Sequence, residues 1–519
     1  MREWPSVRRA STTVMIAAAM TLMTSWASAD VGGDCLQIGA PLLDLKQFEQ
    51  GQYAIDAIKR FSTSAVRAID TCRKAISLAP DDDESRSVLG LALLASDKRD
   101  EGLKELKLAG RRRPEALFFV GVVYESQKDW DQARRYLRLA ADKDVVAARV
   151  MLGLLMVSGA TGTRDIPGAI PLLRKAAEKG SFVAQALLAT VLQSGVGIPR
   201  APVEAYKWTL LARVHSASDR VEKLRKRVDL IQIDLEASMS REQLAQGQKL
   251  ALATFEALHG AWVPKAGSLS TYASIRQKWR EAGPPENECD RLTARYEDPD
   301  RRSELVTSAD FARAIPACAA AVAAHPDVAR FRYEHGTALA WAKRNADAYA
   351  EYRRAADAGY PAAIFEIGYA YYNDTAFGMD FSKARTWLRR ATELGVPDAF
   401  VTLGEMYFSG NGVKQNAYES SRLKYTGALF DNFSGEFGLG DAYQQGYGVP
   451  ISFVRAWAWL DLAASHPAAV MLRMSETYAH DRDGMTKNMT EAQVAEAQRL
   501  AAEWKRILRP ARAPESGRR

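Results

Sequence analysis

The pattern in this chain with the clearest chemical meaning is Ser421-Arg-Leu-Lys424. A lysine one helical turn beyond a serine is the arrangement that activates a hydroxyl nucleophile. The partner motifs of that chemistry are missing, no GxSxG occurs, and so short a match recurs by chance in 519 residues. Gly-x-Gly triplets at Gly195, Gly410 and Gly446 could cradle a phosphate, but no strand precedes them and no GK[ST] follows. Asp81-Asp82-Asp83-Glu84 could hold calcium, yet an acidic run also suits a helix start, where the helix dipole favours it. The six histidines (215, 259, 325, 335, 466, 480) are scattered, and no CxxC, HxxxH or HxH spacing gathers metal ligands. The sequence therefore predicts no catalytic constellation, no cofactor and no metal: a protein that is not an enzyme.

The elements that would position such residues are repeats. Ala65 to Asp81 (AVRAIDTCRKAISLAPD) reappears as Phe311 to Asp327 (FARAIPACAAAVAAHPD), sharing Arg, Ala, Ile, Cys, Ala, Pro and Asp at an offset of 246. Two further phrases match, one starting at Met239 and the other at Met489. Between them a small residue recurs at Gly90, Gly121, Gly153 and Ala189, and again at Gly336, Gly368, Gly404 and Gly440. Gaps of 31 to 36 residues are the signature of a solenoid, and solenoids mostly bind. Each repeat reads as a helical hairpin with apolar residues at three- and four-residue spacing. The glycine in the first helix costs about 1 kcal/mol against alanine, which predicts close contact with a neighbouring helix. Ala176-Ala177, Ala355-Ala356 and Ala463-Ala464 serve the same approach from the second helix, and Gly180, Gly359 and Gly395 follow it as left-handed caps.

The first 29 residues read as an address. Arg2, Arg8 and Arg9 precede an apolar stretch from Val14 to Met23, and Ala27-Ser28-Ala29 forms a small-x-small cleavage site. A cleaved signal peptide predicts a periplasmic or secreted protein, with no later segment apolar enough to span a membrane. Four cysteines suit that compartment. They permit three pairings, and the duplication selects Cys35–Cys72 and Cys289–Cys318, since each copy then closes its own loop. The formal charge of +7 falls to +5 once the signal's three Arg and one Glu are removed, too mild to indicate nucleic acid.

Leu-Gly-x-x-Tyr, then Gly-x-Gly-Val (Gly410 to Val413, Gly446 to Val449), then Ala-x-x-Trp-x-x-x-Ala resembles the Sel-one-like repeat, a relative of the tetratricopeptide repeat. The shorter units from Gly90, Gly121 and Gly336 resemble plain tetratricopeptide hairpins. The resemblance spans roughly 84–216 and 326–466, and departs from the pattern at Ala189, in the loop 373–379 and around Asn432. It implies an all-α fold, an α-solenoid in two duplicated right-handed superhelical arrays, and a surface for interaction. The expected organisation is a signal peptide at 1–29, a first array at 30–258, a linker at 259–288 with a short helix from Tyr272 to Arg280, a second array at 289–505, and a basic disordered tail at 506–519.

Tyr124, Tyr371, Tyr407 and Tyr443, at a fixed position of the repeat, and Trp208, Trp387 and Trp459 in second helices, are expected in the core. In the resembled architecture, the residues one and four after the first-helix glycine face a concave groove. That rule selects Tyr369, Tyr372, Glu405, Phe408, Asp441 and Gln444, with Asn373 beside them, as partner-binding candidates. The expected partner is a protein or peptide of the cell envelope. The alternative is a glycan, which would make the chain a carbohydrate- or peptidoglycan-associated envelope protein.

Overall fold

The computed structural model describes residues 35–36, 55–160, 162–215, 222–264, 286–293, 310–373 and 378–509, and among them the chain is helical with no strand. The expected signal segment, the helix at Tyr272 to Arg280 and the residues after Arg509 lie outside the described residues. The chain divides into two compact units between Leu258 and His259.

The first unit opens with α1 (Ile55–Leu78) and continues as four hairpins. These are α2 (Asp83–Ala95) with α3 (Arg99–Ala109), α4 (Pro114–Ser126) with α5 (Trp130–Asp142), α6 (Val146–Ser158) with α7 (Ile166–Glu178), and α8 (Phe182–Ser194) with α9 (Pro202–His215). Helices α10 (Glu222–Ser238) and α11 (Arg241–His259) close it.

The second unit opens with α12 (Glu288–Thr293) and α13 (Phe311–Ala324). Its hairpins are α14 (Ala329–Trp341) with α15 (Asn345–Asp357), α16 (Pro361–Asn373) with α17 (Phe381–Glu393), α18 (Pro397–Ser409) with α19 (Ala417–Leu429), and α20 (Phe433–Gln445) with α21 (Phe453–Ala464). Three shorter-to-longer helices, α22 (Pro467–Met471), α23 (Ser475–Gly484) and α24 (Glu491–Leu508), close it.

Composition explains the alternation. First helices such as α4, PEALFFVGVVYES, are apolar nearly all round because they touch helices on several sides. Second helices such as α5 bury only one stripe, here Ala133, Leu137, Ala140 and Ala141. Asp129, Asp165, Asp380, Asn416 and Ser452 each start a second helix by accepting from the backbone N–H three residues on. A cap of this kind stabilises by about 1 kcal/mol.

The glycine ladder is a packing device. A Cβ on Gly90, Gly121 or Gly440 would lie 2.7 Å from the Cγ of Leu106, Leu137 or Leu460 respectively, and one on Gly153 would lie 2.7 Å from the Cδ2 of Leu173. At Gly368 the distance to the Leu388 Cγ is 3.0 Å, and at Gly336 the Tyr352 ring stands 2.7 Å away. Where the ladder carries Ala189, the residue at the leucine register is the smaller Thr209, fully buried. The second glycine of the Gly-x-Gly loops is also a matter of space. A Cβ at Gly448, which has φ +67°, would fall 2.1 Å from the Ala417 carbonyl oxygen. These loops turn the chain and seat it against the preceding hairpin.

Disulfides join Cys35 to Cys72 and Cys289 to Cys318, with Cα separations of 4.9 and 4.7 Å. Beside the second, the Arg330 Nε lies 2.8 Å from the Asp290 carboxylate, both side chains almost wholly buried. This ties α12 to α14. The acidic run is likewise structural: Asp82 caps α2, while Asp81 and Asp83 meet Arg112 and Glu84 meets Arg113.

Two boundaries differ from the sequence reading. Residues 259–264, expected as the start of a linker, include Trp262, which is buried and stacks on Tyr425 of α19 at 5.7 Å. The Tyr425 hydroxyl donates to the Val263 carbonyl at 2.9 Å. At the other end, α24 runs to Leu508, beyond the expected boundary at 505, and Arg509 is bound rather than loose. Its guanidinium forks onto the fully buried Glu436 carboxylate at 2.5 and 2.6 Å and donates to the Leu462 carbonyl at 3.0 Å. Burial pushes the Glu436 carboxyl above its usual range despite that partner.

Candidate binding face of the second unit

Along the second unit, α18 touches both α16 and α20 directly, as successive first helices must if they line one side of the stack. Tyr369 and Tyr372 come from α16, Glu405 and Phe408 from α18, Asp441 and Gln444 from α20. Each lies one or four residues past its ladder glycine, so the helical period sets them on one side.

The structure brings two of these seven candidates, Glu405 and Phe408, to a residue that the sequence reading passed over. Lys424 rises from α19, the second helix, and its side chain is about nine-tenths buried. Its Nζ reaches the Glu405 carboxylate at 2.7 Å and stands 5.3 Å from the Phe408 ring centroid. Two glycines open the way: ideal Cβ atoms would stand 3.4 Å from the Lys424 Cγ at Gly404 and 3.0 Å from its Cδ at Gly438. Lys424 occupies the register that holds Leu388 and Leu460 in the neighbouring hairpins.

Electrostatics follow from that placement. Burial pushes the Asp441 carboxyl above the usual aspartate range, the Lys424 ammonium opposes this, and the Glu405 charge adds to it. Burial also raises the Tyr372 phenol, with the Glu405 charge acting the same way, while a hydrogen bond with the Asn411 side chain works against both. Tyr372 packs near Phe381 at 6.0 Å, Phe408 meets Tyr447 edge-on at 5.2 Å, and Tyr369 rests on Phe365 at 5.5 Å. Tyr369 remains 39% exposed, the most open aromatic of the set. Asn373 is exposed at the end of α16 and Gln444 is half-buried near the end of α20.

Arranged so, the face offers aromatic edges around a lysine–carboxylate pair and a second carboxylate. It has the parts for recognition. Ser421 donates to the Tyr447 carbonyl at 2.7 Å, so the nucleophile pattern is spent on structure. Among the described residues, no group of three His, Cys, Asp or Glu side chains gathers as metal ligands.

The aromatic residues expected in the core divide. Trp208, Trp459 and Tyr443 are fully buried, whereas Tyr124, Tyr371, Tyr407 and Trp387 are half-buried at hairpin edges. The signal for Lys424 was present in the sequence as a lysine at a leucine register of the repeat, together with the additional glycine at 438.

Comparison with known proteins gives two family matches. The tetratricopeptide repeat matches residues 87–145 and 303–364. The Sel1 repeat matches residues 146–181, 183–213, 361–396, 403–420 and 434–466. Among solved structures, the chain is similar to c5321, a protective antigen present in uropathogenic Escherichia coli strains that displays an SLR fold. That likeness has 20% identity and a TM-score of 0.34, covering 89% of this chain and 92% of the other. A Sel1 repeat protein from Oxalobacter formigenes is 20% identical with a TM-score of 0.23, covering 72% of this chain and 89% of its own. The Cut9–Hcn1 hetero-tetramer of the APC/C is similar at 11% identity and a TM-score of 0.25, over 86% and 96%. No curated protein sequence matches the chain.

Proposed function

This chain is a Sel1-like and tetratricopeptide-like repeat protein, and we propose that it is an exported adaptor that binds a protein partner on the inner side of its second unit. Repeats of this kind act chiefly in protein–protein interaction. The observation that supports the reading is Lys424, which meets the Glu405 carboxylate and the Phe408 ring on the side that also carries Tyr372, Asp441 and the open Tyr369. Positioned aromatic anchors supply affinity where they are desolvated by a partner, and flanking charges guide encounter. A segment carrying apolar residues and at least one basic group suits this face, because Asp441 adds a carboxylate that Lys424 shares with Glu405.

Export rests on the N-terminal signal pattern and is supported by the two disulfides, which persist in oxidising compartments. No described helix is long and apolar enough to cross a membrane. Affinity isolation of the intact chain from its own cell envelope, beside a Tyr372→Ala/Phe408→Ala variant, tests the proposal. The expected result is a protein retained by the parent and lost by the variant. Saturable retention on purified glycan, with no protein partner, would contradict it and favour a carbohydrate-associated role.

A further inference from the structure

The first unit carries a concavity of about 430 Å³, lined by Asp100, Leu103, Lys104, Lys107, Leu108, Arg111 and Tyr124. Three cations and one carboxylate border it. The other acids of α3 are engaged elsewhere, Glu101 with Arg73 and Glu105 with Arg86. The neighbouring Arg112 and Arg113 are engaged with Asp81, Asp83 and Glu84. Among the described residues, Lys104, Lys107 and Arg111 meet no carboxylate.

Lys107 is instead held by phenols. Its Nζ donates to the Tyr124 hydroxyl at 2.8 Å and stands 5.1 and 5.4 Å from the ring centroids of Tyr124 and Tyr136, which stack at 5.6 Å. A neutral partner fixes the ammonium without cancelling its charge. Cations near the end of α3 also suit the helix dipole, but the dipole explains neither the concavity nor the tyrosine clamp.

We propose that this concavity recognises an acidic segment of a polypeptide, separately from the face on the second unit. Lys104 and Lys107 lie about one turn apart on α3, and Arg111 follows in the turn just beyond its end at Ala109. An extended peptide with acids at alternate positions presents them on one side, roughly 7 Å apart, toward the same row of cations. Leu103 and Leu108 add an apolar wall for a residue flanking the acids. A chain of uronic acid sugars has no such residue to offer.

The test is fluorescence anisotropy with a labelled peptide of alternating Glu and Leu, titrated with the full chain at low and physiological salt. The parent is expected to bind with an affinity that falls as salt rises. Lys104→Gln/Arg111→Gln, both at exposed positions, is expected to weaken binding about tenfold or more, as loss of steering and contact charges does. Arg112→Gln/Arg113→Gln removes equal charge beside the site and is expected to change binding little. Absence of peptide binding by the parent, an equal loss in both double variants, or binding of polygalacturonate in place of the peptide would each overturn the proposal.

Discussion

One residue after the ladder position, the first unit carries Leu91, Val122, Leu154 and Thr190 where the second carries Thr337, Tyr369, Glu405 and Asp441. Four residues after it, Leu94, Glu125, Val157 and Gln193 correspond to Ala340, Tyr372, Phe408 and Gln444. In the first unit much of this lining is sealed. Leu91 and Val122 are each 1% exposed, and Gln193 donates to Asp234 of the closing helix α10. In the second, Tyr369 is open and a lysine replaces leucine at the register below it. The ladder is shared because hairpin stacking demands it. The lining is free to differ, and there the second unit departs from simple burial.

The largest expected effect tests whether the two units are equivalent beneath that difference. Cys72→Ser and Cys289→Ser should each destabilise by about 4 kcal/mol, since they open loops of 37 and 29 residues separation whose closure entropies are nearly equal. Denaturant unfolding checks this. A large loss from one and none from the other would show that the staples do unequal work.

Next comes the buried lysine. Glu405→Ala should cost about 1–3 kcal/mol, because it leaves the Lys424 ammonium buried without its nearest carboxylate. Adding Lys424→Leu, which restores the residue type of the neighbouring hairpins, should recover most of that loss. A double-mutant cycle measures the coupling, and additivity would mean that the pair contributes little.

Partner binding gives effects of similar or smaller size. Tyr372→Ala and Phe408→Ala should each weaken it by about 1–3 kcal/mol if both are anchors, while Val157→Ala, at the first unit's position matching Phe408, should act on stability alone. Calorimetric titration beside thermal melting separates the two. Asp441→Asn is the cleaner charge change, since Glu405→Gln would also disturb Lys424.

The smallest effect is a pH dependence. Burial raises the folded Asp441 pKa, so its protonated form is favoured in the folded state. Acidification through that raised value relieves the cost of the buried charge, and stability from this group is lost as pH rises through it. Association with a basic partner should slow over the same window as pH falls, and Asp441→Asn should remove the dependence. Stopped-flow rates across that window provide the check.

Most of the fold was legible because its rules are periodic. The glycines at 90, 121, 153, 336, 368, 404 and 440 mark where helices must touch, and both disulfide pairings followed from the duplication. What escaped notice was aperiodic. Lys424 sat inside a four-residue pattern that suggested catalysis, which hid its place in the leucine register. Trp262 lay among Gly260 and Pro264, turn signals that describe the path of the backbone and say nothing of where an aromatic side chain docks. Arg509 belonged to a basic stretch, and only the burial of Glu436, far away in sequence, gave it a partner. Among the candidate residues, helical spacing was enough to place side chains on one side, but their joining through a residue of another helix required three-dimensional contacts.

The most direct test of the binding face is a photo-crosslinking residue at Tyr369, with the same residue at Leu154 of the first unit and at the exposed Thr386 of α17 as references, in the full chain within the cells that produce it. The account predicts a discrete protein adduct from position 369, absent at both references and lost when Phe408→Ala is added. Equal labelling at all three positions, or an adduct at 369 that Phe408→Ala leaves unchanged, would contradict it.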